Sequence, residues 1–94
     1  MKCIDIFFER LDKALLTEKG LSKFSVDGVD FLYEHYDEIE NEAPITNEFL
    51  QTGNMIDDLD GYDYGLCSEE HFAAVRKIRD EAMTIYKEEQ LRRD

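Results

Sequence analysis

Four side chains in this sequence are of the types that bind zinc or act in nucleophilic catalysis: Cys3, His35, Cys67 and His71. A helix running through Cys67 and His71 would place two zinc ligands on one face. A closed tetrahedral site would then need Cys3 and His35 to converge on the same point. No local motif pairs a cysteine with a histidine as nucleophile and base. We therefore expect Cys67 and His71 to be a buried thiol and a helix-start histidine, and the chain to be neither a zinc protein nor an enzyme.

An aspartate-rich turn around Gly61 is the second candidate for metal binding. A calcium loop needs oxygen ligands at its first, third and fifth positions, glycine at the sixth and glutamate at the twelfth. With Gly61 at the sixth position, Asp58 and Asp60 fall correctly, but Ile56 and Cys67 stand at the first and the last. The turn is therefore predicted to be exposed and acidic, without metal or cofactor. A looser cation site formed by its aspartates stays open as an alternative.

The distribution of charge along the chain is uneven. The 94 residues include 23 Asp and Glu against 11 Lys and Arg, a formal net charge of −12. The segment 24–75, called here the acidic block, contains 14 acidic residues and no Lys or Arg. Nucleic-acid binding depends mainly on cations that contact phosphates, so the block argues against direct nucleic-acid binding. It would also be repelled by anionic membrane surfaces. The block is instead predicted to face a basic protein partner.

Acids near the start of the acidic block are spaced to form a regular row. In a helix, acids three or four residues apart recur about every 5.4 Å, compared with about 3.4 Å per phosphate along one DNA strand. A groove lined with Lys and Arg could accept such a row in place of nucleic acid. Tyr62 and Tyr64 add rigid amphipathic side chains of the type enriched at interfaces. The predicted partner-binding residues are Asp27, Asp30, Glu34, Asp37, Glu38, Asp57, Asp58, Asp60, Tyr62, Asp63 and Tyr64.

Amphipathic helices are predicted on both sides of the acidic block. Apolar residues recur with helical spacing near both ends of the chain, which is the pattern of a helix that buries one face. The first helix is predicted over 3–18, with Gly20 at its C-terminal cap. The last helix is predicted over 69–92, where Glu89 and Arg93 are spaced to form an ion pair along its surface.

The segment that starts the acidic block fits two patterns. As a helix from near Ser25 to Glu42, it separates its apolar residues from its acids on the helical wheel. As a hairpin over 24–33, it would turn at Asp27 and Gly28. We favour the helix because its apolar stripe continues to the end of the segment, whereas the strand alternation breaks. The members of that stripe are Val26, Val29, Leu32, Tyr33, Tyr36 and Ile39.

A proline marks the end of this helix. Pro44 pushes Ala43 out of helical geometry, so the helix is predicted to stop there. A short helix is then predicted to start at Glu48, capped by Thr46 or Asn47. Together these elements predict one all-α domain, a small helical bundle of three main helices with one or two short helices. A helix-rich α+β domain with the hairpin is the alternative.

The cellular location is also predicted from what the sequence lacks. Its apolar stretches are too short and too often charged for a membrane-spanning helix, and its N-terminus has no signal-peptide pattern. Its two cysteines have no framework spacing, which fits a reducing compartment. We therefore expect a cytoplasmic protein.

In size and charge layout, the chain resembles the small acidic nucleic-acid mimics that phages and mobile elements use against restriction enzymes and CRISPR effectors. The resemblance implies a stoichiometric inhibitor that covers the nucleic-acid-binding surface of a partner such as a nuclease or CRISPR effector. It is carried by no sequence motif and transfers no site residue. One alternative is an immunity protein or antitoxin that neutralises a basic nuclease or toxin. The other is a helical adaptor or oligomer subunit, such as a homodimer.

Overall fold

A computed structural model describes residues 1–52 and 69–93, and for Glu18, His71 and Arg93 it describes the backbone only. Within these residues there is no strand, so the all-α prediction is confirmed and the hairpin over 24–33 is wrong. No helix in the described part is long and apolar enough to span a membrane. The helices are α1 (Cys3–Ala14), α2 (Glu18–Glu34), α3 (Tyr36–Glu42), α4 (Pro44–Gln51) and α5 (Glu69–Arg93).

Helix α1 forms as its apolar spacing predicts, but it ends earlier. Its inner face is fully buried at residues such as Ile4 and Phe7. The helix stops at Ala14, and Thr17 is the N-cap of α2, where its Oγ1 accepts a hydrogen bond from Gly20 N at 2.9 Å. The prediction that Gly20 caps α1 is therefore wrong. The hydroxyl of Thr17 is an effective N-cap, and it starts a new helix that contains the glycine.

Helix α2 begins at Glu18 rather than near Ser25, and it buries a different face from the predicted one. A Cβ on Gly28 would lie 2.6 Å from the Phe24 ring. The missing side chain therefore leaves room for that ring, which packs against Phe7 at a centroid distance of 5.8 Å. A serine and a glycine thus lie on the buried side of the helix, where a hydropathy pattern does not find them. The buried stripe contains Leu21, Phe24, Ser25, Gly28 and Leu32.

The chain bends at His35, which ends α2 and begins α3. Its backbone angles, φ −105° and ψ 23°, lie outside the helical range. The imidazole packs against the Phe31 ring at a centroid distance of 4.4 Å. The continuous helix expected up to Glu42 is therefore two helices, and the regular row of carboxylates is continuous along α2 only.

Pro44 has the predicted effect on the residue before it and a further effect on the residues after it. Ala43 adopts φ −154° and ψ 74° and ends α3, as predicted. Pro44 then starts α4, since a proline in the first turn loses no helical hydrogen bond. The predicted start at Glu48 with a cap at Thr46 or Asn47 is wrong, because both residues are buried inside α4.

Two carboxylates from distant parts of the chain cap helix N-termini. The first N–H groups of a helix lack partners within it and form the positive end of its dipole. Glu42, at the end of α3, accepts hydrogen bonds of 3.1 and 2.9 Å from the first amides of α1. Glu89 of α5 is only 3% exposed and accepts three bonds of 2.8 to 2.9 Å from α4. The donors are the backbone N of Cys3, Ile4, Ile45 and Thr46, together with Thr46 Oγ1.

The predicted last helix is confirmed as α5, which packs on both α1 and α4. Arg79 forms a two-pronged ion pair with Asp12 at 2.7 and 3.0 Å, and this bond raises the pKa of the guanidinium. Arg76 donates a hydrogen bond of 3.1 Å to the carbonyl of Leu15, just beyond the end of α1. The residues that α5 buries in the core are Val75, Ala82 and Tyr86.

Tyr86 makes a second polar link between α5 and α1. Its side chain is 9% exposed, and its Oη donates a hydrogen bond to Asp5 Oδ1 at 2.8 Å. Burial, reinforced by the bond to Asp5, raises the pKa of the phenol above its ordinary value of about 10. The folded protein thus holds this proton more tightly than the unfolded chain does. The resulting stabilisation is complete below about pH 10 and is lost as the pH rises further.

We expect the free energy of unfolding to fall above about pH 10, with Tyr86 contributing at most about 1.4 kcal/mol per pH unit. Tyr86→Phe should remove this contribution to the pH dependence of the free energy of unfolding. Denaturant unfolding at several pH values between about 9 and 11 measures that dependence. Tyr33→Phe, which removes a hydroxyl from a side chain that is 58% exposed, is the control. Identical slopes for Tyr86→Phe and the unchanged protein would contradict this role for Tyr86.

Candidate protein-binding surface

Five predicted partner-binding carboxylates lie on α2 and in the first turn of α3, and all five are exposed. On α2 they are three or four residues apart, which places them along one side of the helix. They point outward because the buried stripe of α2 occupies the opposite side. We call this set the acidic face: Asp27, Asp30, Glu34, Asp37 and Glu38.

In the described part of the chain, no Lys or Arg forms an ion pair with the acidic face. Within the same residues, Glu38 Oε2 lies 3.8 Å from His35 Nδ1. Neighbouring carboxylates repel each other when no cation lies between them, and an approaching positive surface relieves that repulsion. The acidic face therefore favours a cationic partner electrostatically.

Two exposed tyrosines next to the acidic face were missed by the sequence prediction, which placed them on the buried stripe. Tyr33 is 58% exposed and Tyr36 is 44% exposed, and Val26 of the same stripe is 46% exposed. These residues lie outward because α2 buries the side that carries Ser25 and Gly28. Both tyrosines are adjacent to acids in the sequence, and this could have indicated that they are exposed. Of the predicted stripe, the buried members are Val29, Leu32 and Ile39.

The remaining predicted partner-binding residues belong to the aspartate-rich turn around Gly61. They lie outside the described residues, as does Cys67. Their assignment therefore stays a sequence prediction. These residues are Asp57, Asp58, Asp60, Tyr62, Asp63 and Tyr64.

Cys3 and His35 lie close together in the fold, as a nucleophilic cysteine and its general base would. Cys3 Sγ lies 3.8 Å from His35 Nδ1, and Glu38 Oε2 lies 3.8 Å from the same nitrogen. In a catalytic triad the base and its orienting carboxylate use different ring nitrogens, so this arrangement is not a triad. Burial and the nearby charges of Glu42 and Glu38 raise the pKa of the Cys3 thiol. These neighbours disfavour the reactive thiolate.

Among residues 1–52 and 69–93, no group of three or more His, Cys, Asp or Glu side chains is arranged to hold a metal ion. Comparison of the chain with protein-family models, with curated proteins and with solved structures finds no match.

Proposed function

We propose that this chain is a non-enzymatic binding protein whose acidic face covers a cationic, nucleic-acid-binding surface of a partner protein. The observation that carries the proposal is the set of five exposed carboxylates on α2 and α3 without a Lys or Arg ion pair in the described residues. A surface with charges of one sign associates faster with a surface of opposite charge, and it repels partners whose surface carries the same charge.

The spacing of the carboxylates favours a nucleic-acid-binding target. Asp27, Asp30 and Glu34 follow one side of α2 at about one carboxylate per 5.4 Å turn. One DNA strand carries a phosphate about every 3.4 Å, and a groove that tracks phosphates is positively charged along its length. Such a partner belongs to the cytoplasm, where nucleases, restriction enzymes and CRISPR effectors meet DNA. The class of protein this describes is a phage-type inhibitor by nucleic-acid mimicry.

The exposed tyrosines favour a second candidate, an immunity protein or antitoxin for one basic nuclease or toxin. Tyr33 and Tyr36 offer rigid aromatic surface that charge alone does not provide. Tyrosine is enriched at interface hot spots, which carry most of the binding energy. Both candidates are stoichiometric inhibitors, and they differ in whether the acidic face occupies the partner's nucleic-acid site or a neighbouring surface.

An affinity pull-down from the source cells tests the proposal. The native protein is compared with a variant in which Asp30, Glu34, Asp37 and Glu38 are changed to Lys, with nuclease-treated lysate in parallel. Capture of a nuclease, repair or CRISPR-type protein by the native form alone, with and without nuclease treatment, supports it. Capture of a neutral or acidic partner that is unaffected by the reversal contradicts it.

Association with that partner should weaken strongly with added salt. The Debye length falls from about 30 Å at 0.01 M salt to about 8 Å at 0.15 M, and the acidic face is exposed to the screening ions. We expect the association rate constant to fall about tenfold or more over this range. Stopped-flow or surface-plasmon measurements determine it. A rate constant independent of salt would contradict electrostatic recognition.

A further inference from the structure

A cleft between α3 and α4 lies next to the acidic face. Its volume is about 400 Å³, near the lower end of the range for small-molecule sites. Tyr36 and Glu40 line it from α3, and Ile45 and Glu48 line it from α4. This space is large enough to receive a long side chain of a partner protein.

The charged side chains that line the cleft are both carboxylates. Glu40 and Glu48 are exposed carboxylates on its walls, and neither forms an ion pair in the described residues. Gln51 and Thr52 at the C-terminal end of α4 also line it. Because Pro44 and Ile45 at the start of α4 line the cleft as well, both ends of the α4 dipole lie at its walls and neither sign dominates. The attraction for a cation therefore comes from the two carboxylates.

The walls of the cleft also contain apolar surface that a simple metal ion would not use. Tyr36 is 44% exposed and Ile45 is 49% exposed. An aromatic ring attracts a cation placed over its face, and an aliphatic wall can contact the hydrocarbon stem of a long basic side chain. A guanidinium stacks on aromatic rings and binds carboxylates with two parallel hydrogen bonds, whereas an ammonium is a strongly hydrated point charge.

We propose that the cleft between α3 and α4 receives an arginine side chain from the cationic surface of the partner. The proposal rests on the proposed function, since it names the group by which that partner is anchored. Glu48 supplies the carboxylate, Tyr36 the stacking ring and Ile45 the apolar wall. Glu40 adds negative charge while it accepts a hydrogen bond from Asn47 Nδ2 at 2.8 Å.

Titration of the ¹⁵N-labelled full chain with N-acetyl-arginine methylamide tests the cleft without any partner. The expected result is saturable amide shifts at Tyr36, Glu48 and Thr52, with a dissociation constant in the millimolar range. The uncharged citrulline analogue should not produce them. Tyr36→Ala with Glu48→Gln should weaken binding by about tenfold, from the combined loss of stacking and charge.

A matched variant separates the cleft from general acidity. Leu91→Ala with Glu88→Gln removes an exposed apolar side chain and an exposed carboxylate from α5, outside the cleft and the acidic face, and should leave the titration unchanged. Shifts spread over all acidic residues, or equal weakening by both double variants, would overturn the arginine site. If the cleft variant then binds the captured partner as tightly as the native protein does, the arginine site is wrong while the proposed function stands. Capture that survives the charge reversal instead contradicts the function.

Discussion

Replacing Glu89 by alanine is expected to lower the free energy of unfolding by about 3 kcal/mol or more. The carboxylate is 3% exposed and accepts hydrogen bonds from Ile45 N, Thr46 N and Thr46 Oγ1. Its removal leaves these donors without their partner in the bundle, and each unsatisfied buried polar group costs about 1 to 3 kcal/mol. Since domains of this size are only marginally stable, the loss should be evident in denaturant unfolding followed by circular dichroism.

The neighbouring residue provides the control. Glu88→Ala removes an exposed carboxylate from the same helix, and its effect should stay within about 0.5 kcal/mol. Glu89→Gln should fall between the two, because an amide keeps the shape and can still accept hydrogen bonds but lacks the charge that favours a helix N-terminus. Equal unfolding energies for the alanine variants at both positions would show that the capping of α4 by α5 does not stabilise the fold.

Reversing the charge of four residues of the acidic face should abolish partner binding while leaving the fold intact. The variant changes four exposed residues to Lys: Asp30, Glu34, Asp37 and Glu38. We expect an affinity loss of about a hundredfold or more, since like charges across an interface cost several kcal/mol. Helicity by circular dichroism should be retained because none of the four contributes to the core. Isothermal titration with the captured partner measures the affinity.

A second variant carries the same change in net charge elsewhere on the surface. It reverses Glu9, Asp80, Glu81 and Glu88, which are exposed residues of α1 and α5 outside the acidic block. Its affinity should fall by less than about tenfold, from the altered long-range field alone. Equal losses in the two variants would show that total charge, rather than the acidic face, determines binding.

Local patterns in the sequence predict part of the fold well. The apolar stripes predict α1 and α5, and the steric effect of Pro44 on Ala43 predicts the end of α3. The buried side of α2 could not be found in this way, because Ser25 and Gly28 lie on it. Their burial depends on packing against other helices, such as the contact of the Phe24 ring beside Gly28 with Phe7 of α1, which spacing along one helix does not reveal.

The polar contacts between helices were also hidden from sequence reasoning. Glu89 is spaced to pair with Arg93 on its own helix, and this spacing gives no sign that Glu89 caps α4. Glu42 stands among many acids of the acidic block but caps α1. A carboxylate at a distant helix N-terminus is recognisable only once the helices are placed. The exposed acids of the candidate site were predictable, whereas the exposure of Tyr33 and Tyr36 followed from the rotated buried side of α2.

The most direct test of nucleic-acid mimicry is competition between this protein and duplex DNA for the captured partner. Fluorescence anisotropy of a labelled duplex, bound to the purified partner, is followed as the protein is added. We predict displacement of the DNA at a one-to-one ratio of protein to partner by the native chain, and none by the variant reversed at Asp30, Glu34, Asp37 and Glu38. Formation of a stable ternary complex of protein, partner and DNA would contradict occupation of the nucleic-acid-binding surface.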